Sequence, residues 1–280
     1  MLFRSVGPRF QLTVSRDGST GLDLFHPASP AGRLIQFVGG VGHERLSGFH
    51  FDLQDETEGG FGRSSAEFLL LYRWIFEGQD ELLNWKKAYS LYRELTAGPQ
   101  AFRSPSGADI VAQWRGGLTW FDPEAVAATE VYALFDWNRF LVFSATARDP
   151  DRKTATHSHL KNAKEIPASV LSALVDASRE GILGVQEGSE ERVARAMTRT
   201  AKTLQSLDLE DPRTTQDRDA LSRLSGVLAV KGCGANQSDA LLVLMNTADP
   251  EVRAAVIQAA RARGLELVSD GIPSEMGIHA

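Results

Sequence analysis

The sequence predicts an α+β protein built as two units. Three observations carry that reading. The first third alternates apolar and polar residues at the period of strands, two helical patterns fill the middle of the first half, and a helix-rich second half closes on short apolar strands. The chain has 280 residues, 42% hydrophobic and 24% charged, which suits two units of moderate size. The division is expected at a charged stretch, Arg148-Asp149-Pro150-Asp151-Arg152-Lys153, giving units 1–147 and 148–280.

The elements follow in order. Residues 10–15 alternate, Asp17-Gly18 marks a turn and residues 21–26 alternate again, so a hairpin is expected. Residues 33–38 fit a strand or a short helix equally well. Residues 64–77 read as helix. A second helix fits 80–96, with Leu82, Leu83, Ala88, Leu91 and Leu95 on one side and Gly98-Pro99 as its end. A polar turn, Ser104-Pro105-Ser106-Gly107-Ala108-Asp109, leads into Ile110-Val111-Ala112-Gln113-Trp114, which Gly116-Gly117 breaks. Residues 118–121 and 140–146 read as strands. Residues 168–225 read as helical, punctuated at Gly181, Gly188 and Asp211-Pro212. Residues 224–230 lead into a glycine-containing loop, Lys231-Gly232-Cys233-Gly234-Ala235-Asn236. A buried strand, 240–245, follows. Asp249 with Pro250 behind it then opens a helix to Arg263, Gly264 ends it, and 265–268 form a closing strand.

Composition narrows the function classes. The net charge is −6 and no basic run occurs, so neither nucleic acid nor an anionic membrane is an expected partner. Cys233 is the only cysteine, which excludes an intrachain disulfide and suits a reducing compartment. No apolar run approaches the roughly 20 residues of a membrane span. The first nine residues hold no apolar secretory core. A cytoplasmic protein acting on a small molecule is expected, and a homodimer stays open.

The most informative stretch is Gly59-Gly60-Phe61-Gly62-Arg63-Ser64-Ser65-Ala66-Glu67, which runs into an apolar segment, residues 68–76. A glycine-rich turn feeding a helix start binds phosphate, because backbone N–H groups and the positive end of the helix dipole converge there. Gly60 and Gly62 allow positive φ and close approach to a ligand. No Gly-Lys-Ser/Thr follows, so this is not a Walker loop. The alternative is a capping box, with Ser64 as N-cap and Glu67 three residues on. Asp109 likewise has a bland reading, as a turn aspartate capping residues 110–112. His157 and His159 alternate, but no carboxylate or cysteine is placed to complete a metal site.

Four segments in order resemble the GHMP small-molecule kinases, most closely the phosphomevalonate and mevalonate kinase branch. Gly60-Phe61-Gly62-Arg63-Ser64-Ser65-Ala66 is similar to the family's Gly-Leu-Gly-Ser-Ser-Ala loop. Ser106-Gly107-Ala108-Asp109, with Gly116-Gly117 after it, is similar to the Ser-Gly-x-Asp segment that carries a catalytic aspartate. Ala155-Thr156-His157-Ser158-His159-Leu160 resembles a threonine-bearing segment, and residues 231–239 resemble a late Lys-x-Ser-Gly-Ala-Gly-Gly-Gly-Asp loop. The resemblance implies a ribosomal-S5-like first lobe, a ferredoxin-like second lobe, and ATP with Mg²⁺ as cofactors. It implies that Gly59, Gly60, Gly62, Arg63, Ser64 and Ser65 wrap ATP phosphates, with Ser64 also on Mg²⁺. Asp109 would orient or deprotonate the acceptor oxygen. Ser106, Gly107, Thr156, Lys231, Gly232, Cys233, Gly234 and Ala235 would meet substrate or form a second phosphate loop. The implied activity is ATP-dependent phosphoryl transfer to a mevalonate- or phosphomevalonate-type metabolite. The alternatives are a non-catalytic binding protein of the same fold and a diphosphomevalonate decarboxylase. The chain departs from the pattern in three places. The opening Pro-Gly-Lys-x-x-Leu-x-Gly-Glu motif is not found, and the chain is read as starting just after it. Asn236, Gln237 and Ser238 stand where the family prefers glycines, and Arg63 stands where it prefers a small residue.

Overall fold

The computed structural model describes residues 2–4, 10–16, 21–55, 62–97, 105–116, 118–130, 134–145, 166–233 and 240–272. The chain divides into two compact units after Glu130. That is earlier than the expected 147/148 division. The cause is the strand at Phe140–Ser144, which is an inner strand of the second unit's sheet.

The first unit holds β1 (Leu2–Arg4), β2 (Phe10–Ser15), α1 (Pro30–Phe37), β3 (His50–Asp55), α2 (Arg63–Ile75), α3 (Trp85–Thr96), α4 (Ala108–Arg115), β4 (Leu118–Asp122) and β5 (Ala127–Glu130). β1, β4 and β5 form an antiparallel sheet in the order β1-β4-β5, and β2 pairs with β3 alone. The expected hairpin between residues 10–15 and 21–26 does not form. Residues Gly21–Leu24 make a 3₁₀ turn, and β2 pairs with β3 so that Leu12 faces Leu53 and Val14 faces Phe51. Apolar cross-strand pairs of this kind decide register over a nearby turn signal. The open choice at 33–38 resolves to helix. Ser29 caps α1 by accepting from the Gly32 N–H at 3.1 Å, and Pro30 takes the first helical position. α3 begins later than expected, because Asn84 accepts from the Lys87 N–H at 3.0 Å and sets the start at Trp85.

α2 is the central helix of this unit. Ser65, Phe68, Leu69, Leu71, Tyr72 and Ile75 are almost wholly buried along it. Phe68 meets Tyr92 of α3 edge-on at 5.2 Å, and Tyr72 meets Trp114 of α4 at 6.2 Å. Aromatic pairs in this geometry each add about 1 kcal/mol beyond their buried area. They fix α3 and α4 against α2 and thereby place the starts of α2 and α4.

The second unit holds β6 (Phe140–Ser144), α5 (Ala168–Glu187), α6 (Glu190–Ser206), α7 (Pro212–Leu221), β7 (Val227–Cys233), β8 (Ala240–Met245), α8 (Pro250–Arg261) and β9 (Glu266–Asp270). Its four strands are antiparallel in the order β7-β8-β6-β9. That order, with helices after β6 and after β8, is the split βαβ arrangement. β6 is buried along its whole length. Gly181 does not punctuate α5. It lies inside the helix, where a Cβ would stand 3.3 Å from the Ala196 Cβ of α6, so the glycine lets the two helices approach. Gly188 does end α5, and Gly264 ends α8 at φ +76, with the Leu265 N–H bonded back to the Ala260 carbonyl. Among the described residues no helix is long and apolar enough to cross a membrane.

Candidate active site

The first unit brings two helix starts together. α2 begins at Gly62, which sits in the left-handed region at φ +78 and has no side chain with which to cap the helix. α4 begins at Gly107, also left-handed at φ +69. A side chain at either position would also meet a neighbour. A Cβ on Gly62 would stand 2.6 Å from Gln113 Nε2, and one on Gly107 would stand 2.9 Å from the Tyr89 ring. Gln113 Nε2 donates to the Gly62 carbonyl at 3.1 Å, tying α4 to the turn before α2. Gln113 Oε1 is buried and has no hydrogen-bond partner among the described residues. Arg93 of α3 donates to the Pro105 carbonyl and holds the approach to α4.

Asp109 lies in the first turn of α4, where the helix dipole favours its negative charge. Its Oδ1 accepts from the Ile110 N–H at 3.1 Å, and its Oδ2 accepts from the Ser65 hydroxyl. Ser65 is fully buried in the first turn of α2. The Ser65–Asp109 contact therefore joins the two helix starts directly. Tyr92 of α3, 3% exposed, is buried close enough to Asp109 to feel its charge. Burial raises its phenol from 10.0 to about 12, the Asp109 charge adds to the rise, and Ser65 and Arg93 act the other way.

Several sequence expectations change here. The capping box does not form. Gly62 rather than Ser64 precedes the helix, Ser64 is an exposed second helical residue, and Glu67 Oε1 accepts from Arg63 Nε at 2.8 Å instead of reaching back to a cap. Arg63 is accordingly engaged by its own helix. Ser106 Oγ accepts from the Ala108 N–H at 3.3 Å and supports the turn into α4. Gly62, Arg63, Ser64, Ser65, Ser106, Gly107 and Asp109 thus gather around two helix starts in one unit. Lys231, Gly232 and Cys233 belong to the other unit, as the half-buried end of β7. A Cβ on Gly232 would stand 3.3 Å from the Thr214 side chain and 3.6 Å from Glu210 Oε1. Gly59, Gly60, Thr156, His157, His159, Gly234 and Ala235 lie outside the described residues.

The oxygen donors at these helix starts suit Mg²⁺, a hard cation that binds through one or two protein oxygens and takes phosphate and water oxygens for the rest. Ser64 at the start of α2 and Ser106 before α4 both carry exposed hydroxyls. Among the described residues no three His, Cys, Asp or Glu side chains cluster as a complete metal cage. Sequence reasoning missed Gln113, Tyr92 and the pairing of Ser65 with Asp109. The signal for Ser65 was present, since residues 65, 68, 69, 72 and 75 follow helical spacing and put the hydroxyl on the buried face.

No family model matches the sequence, and no curated protein does. Solved structures do match. Streptococcus pneumoniae phosphomevalonate kinase, in complex with phosphomevalonate and AMPPNP, superposes with a TM-score of 0.68 at 15% identity over 94% of this chain and 90% of that one. Leishmania major mevalonate kinase with R-mevalonate gives 0.63 at 15% identity, covering 92% and 85%. Lactococcus lactis galactokinase with galactose gives 0.62 at 12% identity, covering 95% and 86%. The chain therefore has the GHMP-kinase fold.

Proposed function

We propose that this chain, with its GHMP-kinase fold, transfers the γ-phosphoryl group of ATP to a small metabolite of the mevalonate or phosphomevalonate type, with Mg²⁺ as cofactor. The observation that carries the reading is the Ser65–Asp109 contact, which sets an acidic side chain beside a glycine-started helix. The two features divide the chemistry. Backbone N–H groups at the start of α2 receive phosphate oxygens. Asp109 orients the acceptor oxygen and takes its proton where the acceptor is a hydroxyl. Phosphoryl transfer asks little else of a protein than such positioning and charge stabilisation. Mg²⁺ supplies charge neutralisation on the phosphates, with Ser64 as its protein ligand. A phosphorylated acceptor already ionised needs orientation more than basicity.

The test is ADP release from Mg²⁺-ATP with mevalonate, phosphomevalonate, homoserine and galactose offered in turn. Turnover with one of the first two is expected. Asp109→Asn should lower kcat by about 10²–10⁴-fold, as loss of an acid–base group does, with ATP binding retained. Unchanged turnover in that variant removes Asp109 from the chemistry. Nucleotide binding without turnover of any acceptor would identify a non-catalytic binding protein, and release of CO₂ from diphosphomevalonate a decarboxylase.

A further inference from the structure

We propose that the second unit carries a docking groove for an extended acidic segment of a partner protein, formed by the exposed face of α6 and the outer edge of β7. The groove has a volume of about 720 Å³ and is lined along α6 by Arg195, Thr198, Arg199, Lys202, Thr203 and Ser206. Residues at these spacings share one face of a helix. The same helix buries Val193, Ala196, Met197 and Ala201 on its other side. Residues 192–206 carry four cations and no carboxylate, in a chain whose net charge is −6. An ordinary solvated face would neutralise such charges. Arg192 and Arg195 are neutralised, by Glu187 at 2.8 Å and by Glu180 at 2.9 Å. Arg199 and Lys202 make no ion pair or hydrogen bond among the described residues. Like charges three and four apart disfavour a helix, and none of these cations stands in the last turn, where the helix dipole would favour it. The stripe therefore weakens α6 locally, which a purely structural role does not explain.

The spacing of the charges selects the ligand. At 1.5 Å per residue, Arg195 and Arg199 are about 6 Å apart along the axis and Arg195 and Lys202 about 10 Å. One phosphate cannot meet charges so far apart. Alternate carboxylates on an extended chain are about 7 Å apart, so an acid-x-acid pattern meets successive cations. The groove's other wall suits an extended chain as well. β7 is the outer strand of the order β7-β8-β6-β9 and pairs with β8 alone among the described residues. Val227 stands opposite Met245 and Ala229 opposite Leu244, so Leu228 between them is the extra residue of a bulge. Bulges re-aim a side chain, and that of Leu228, half-buried, lines the groove and offers an apolar contact. An edge strand presents backbone N–H and C=O groups to an added segment. Nearby cations and a bulge guard such an edge against a second copy of itself, because self-pairing would bring the cations of two α6 helices together. An acidic segment is the one that this guard admits.

The test uses the full chain and a fluorescein-labelled peptide, Asp-Glu-Leu-Asp-Glu, with Asn-Gln-Leu-Asn-Gln as its neutral counterpart. Anisotropy at low salt should saturate with the acidic peptide and show the neutral one about 10-fold weaker or more, the scale of several exposed ion pairs together. Arg199→Gln and Lys202→Gln should each weaken binding by about 2- to 5-fold. Both side chains are exposed, so the urea midpoints of these variants should match the wild type. Arg45→Gln in the first unit, which removes a cation paired with Glu77, should leave peptide binding unchanged. Amide shifts induced by the peptide should fall on residues 195–206 and 227–229. Absence of saturation, equal binding of the neutral peptide, an affinity unchanged in both α6 variants, or shifts that fall elsewhere would overturn the proposal. So would tighter binding of inorganic pyrophosphate, which would mark a small-anion site, or of a single-stranded oligonucleotide of equal charge, which would mark a nucleic-acid surface. No readout involves turnover, so the groove stands or falls independently of the kinase reading.

Discussion

Replacing Gly62 by alanine tests the geometry of the α2 helix start most directly. Two costs follow from the structure. An L-residue held in the left-handed region costs about 1–2 kcal/mol, and Gly62 sits there at φ +78. The new methyl would also stand 2.6 Å from Gln113 Nε2. That atom is the end of a flexible side chain, so the glutamine swings away and the Gly62 carbonyl loses this donor while keeping the Ser65 and Ala66 N–H groups, a loss of about 1 kcal/mol. The sum is about 2–3 kcal/mol, read as a lowered urea midpoint with unchanged slope. In a Gln113→Ala background the collision is gone, and Gly62→Ala should cost only the backbone part. Isothermal titration with Mg²⁺-ATP at a temperature where both variants are folded gives the functional half. If the proposed function holds, affinity should drop, because the turn before α2 would no longer aim its N–H groups at the phosphate. A stability loss below about 0.5 kcal/mol, the level of an ordinary surface change, would refute the left-handed start. Equal costs in the two backgrounds would refute the Gln113 contact, and an unchanged ATP affinity would refute the phosphate role.

The structure also predicts a separation at Ser64. As an exposed second helical residue rather than a cap, Ser64→Ala should change stability by less than about 0.5 kcal/mol and still weaken binding of Mg²⁺-ATP relative to ATP alone; a stability loss near 1 kcal/mol in thermal melts would restore the capping role. Alkaline pH should destabilise the first unit through its buried phenols. Tyr72 and Tyr92 ionise near 12 when folded and near 10 when unfolded, so their contribution is complete below about pH 10 and is lost as pH rises through about 12. Urea midpoints should fall over that window, and Tyr72→Phe and Tyr92→Phe should each flatten the fall; a slope unaltered by both would contradict the assignment.

The legible parts of the fold were those with a local cause. The strands at 140–144 and 240–245 and the cap at Asp249-Pro250 follow from short apolar runs and from N-cap chemistry, and they stand where the residues place them. What local pattern missed was long-range pairing. Nothing near residues 10–15 says that their partner is 50–55, because the match of Leu12 with Leu53 and Val14 with Phe51 is a property of two distant segments. The Asp17-Gly18 turn signal was real as chemistry and insufficient as topology. The early division of the chain has the same origin, since β6 joins strands that come a hundred residues later.

The candidate site repeats this logic at the scale of single side chains. Gly62 and Gly107 could be singled out from sequence because a glycine ahead of an apolar run signals a helix start. Their shared location could not, since it depends on α2, α3 and α4 packing through Phe68, Tyr92, Tyr72 and Trp114. Ser65 shows where the two levels meet. Its position on the apolar stripe of α2 forces the hydroxyl inward, and a buried hydroxyl must find a partner or cost about 1–3 kcal/mol. Among its described side-chain hydrogen bonds, the carboxylate of Asp109 answers that demand. A polar residue at an apolar position is thus the sequence-level mark of this site. It also means that Ser65→Ala would leave Asp109 with the Ile110 N–H on Oδ1 and no side-chain donor on Oδ2, so the residue that fits the core least well helps to set the carboxylate's orientation.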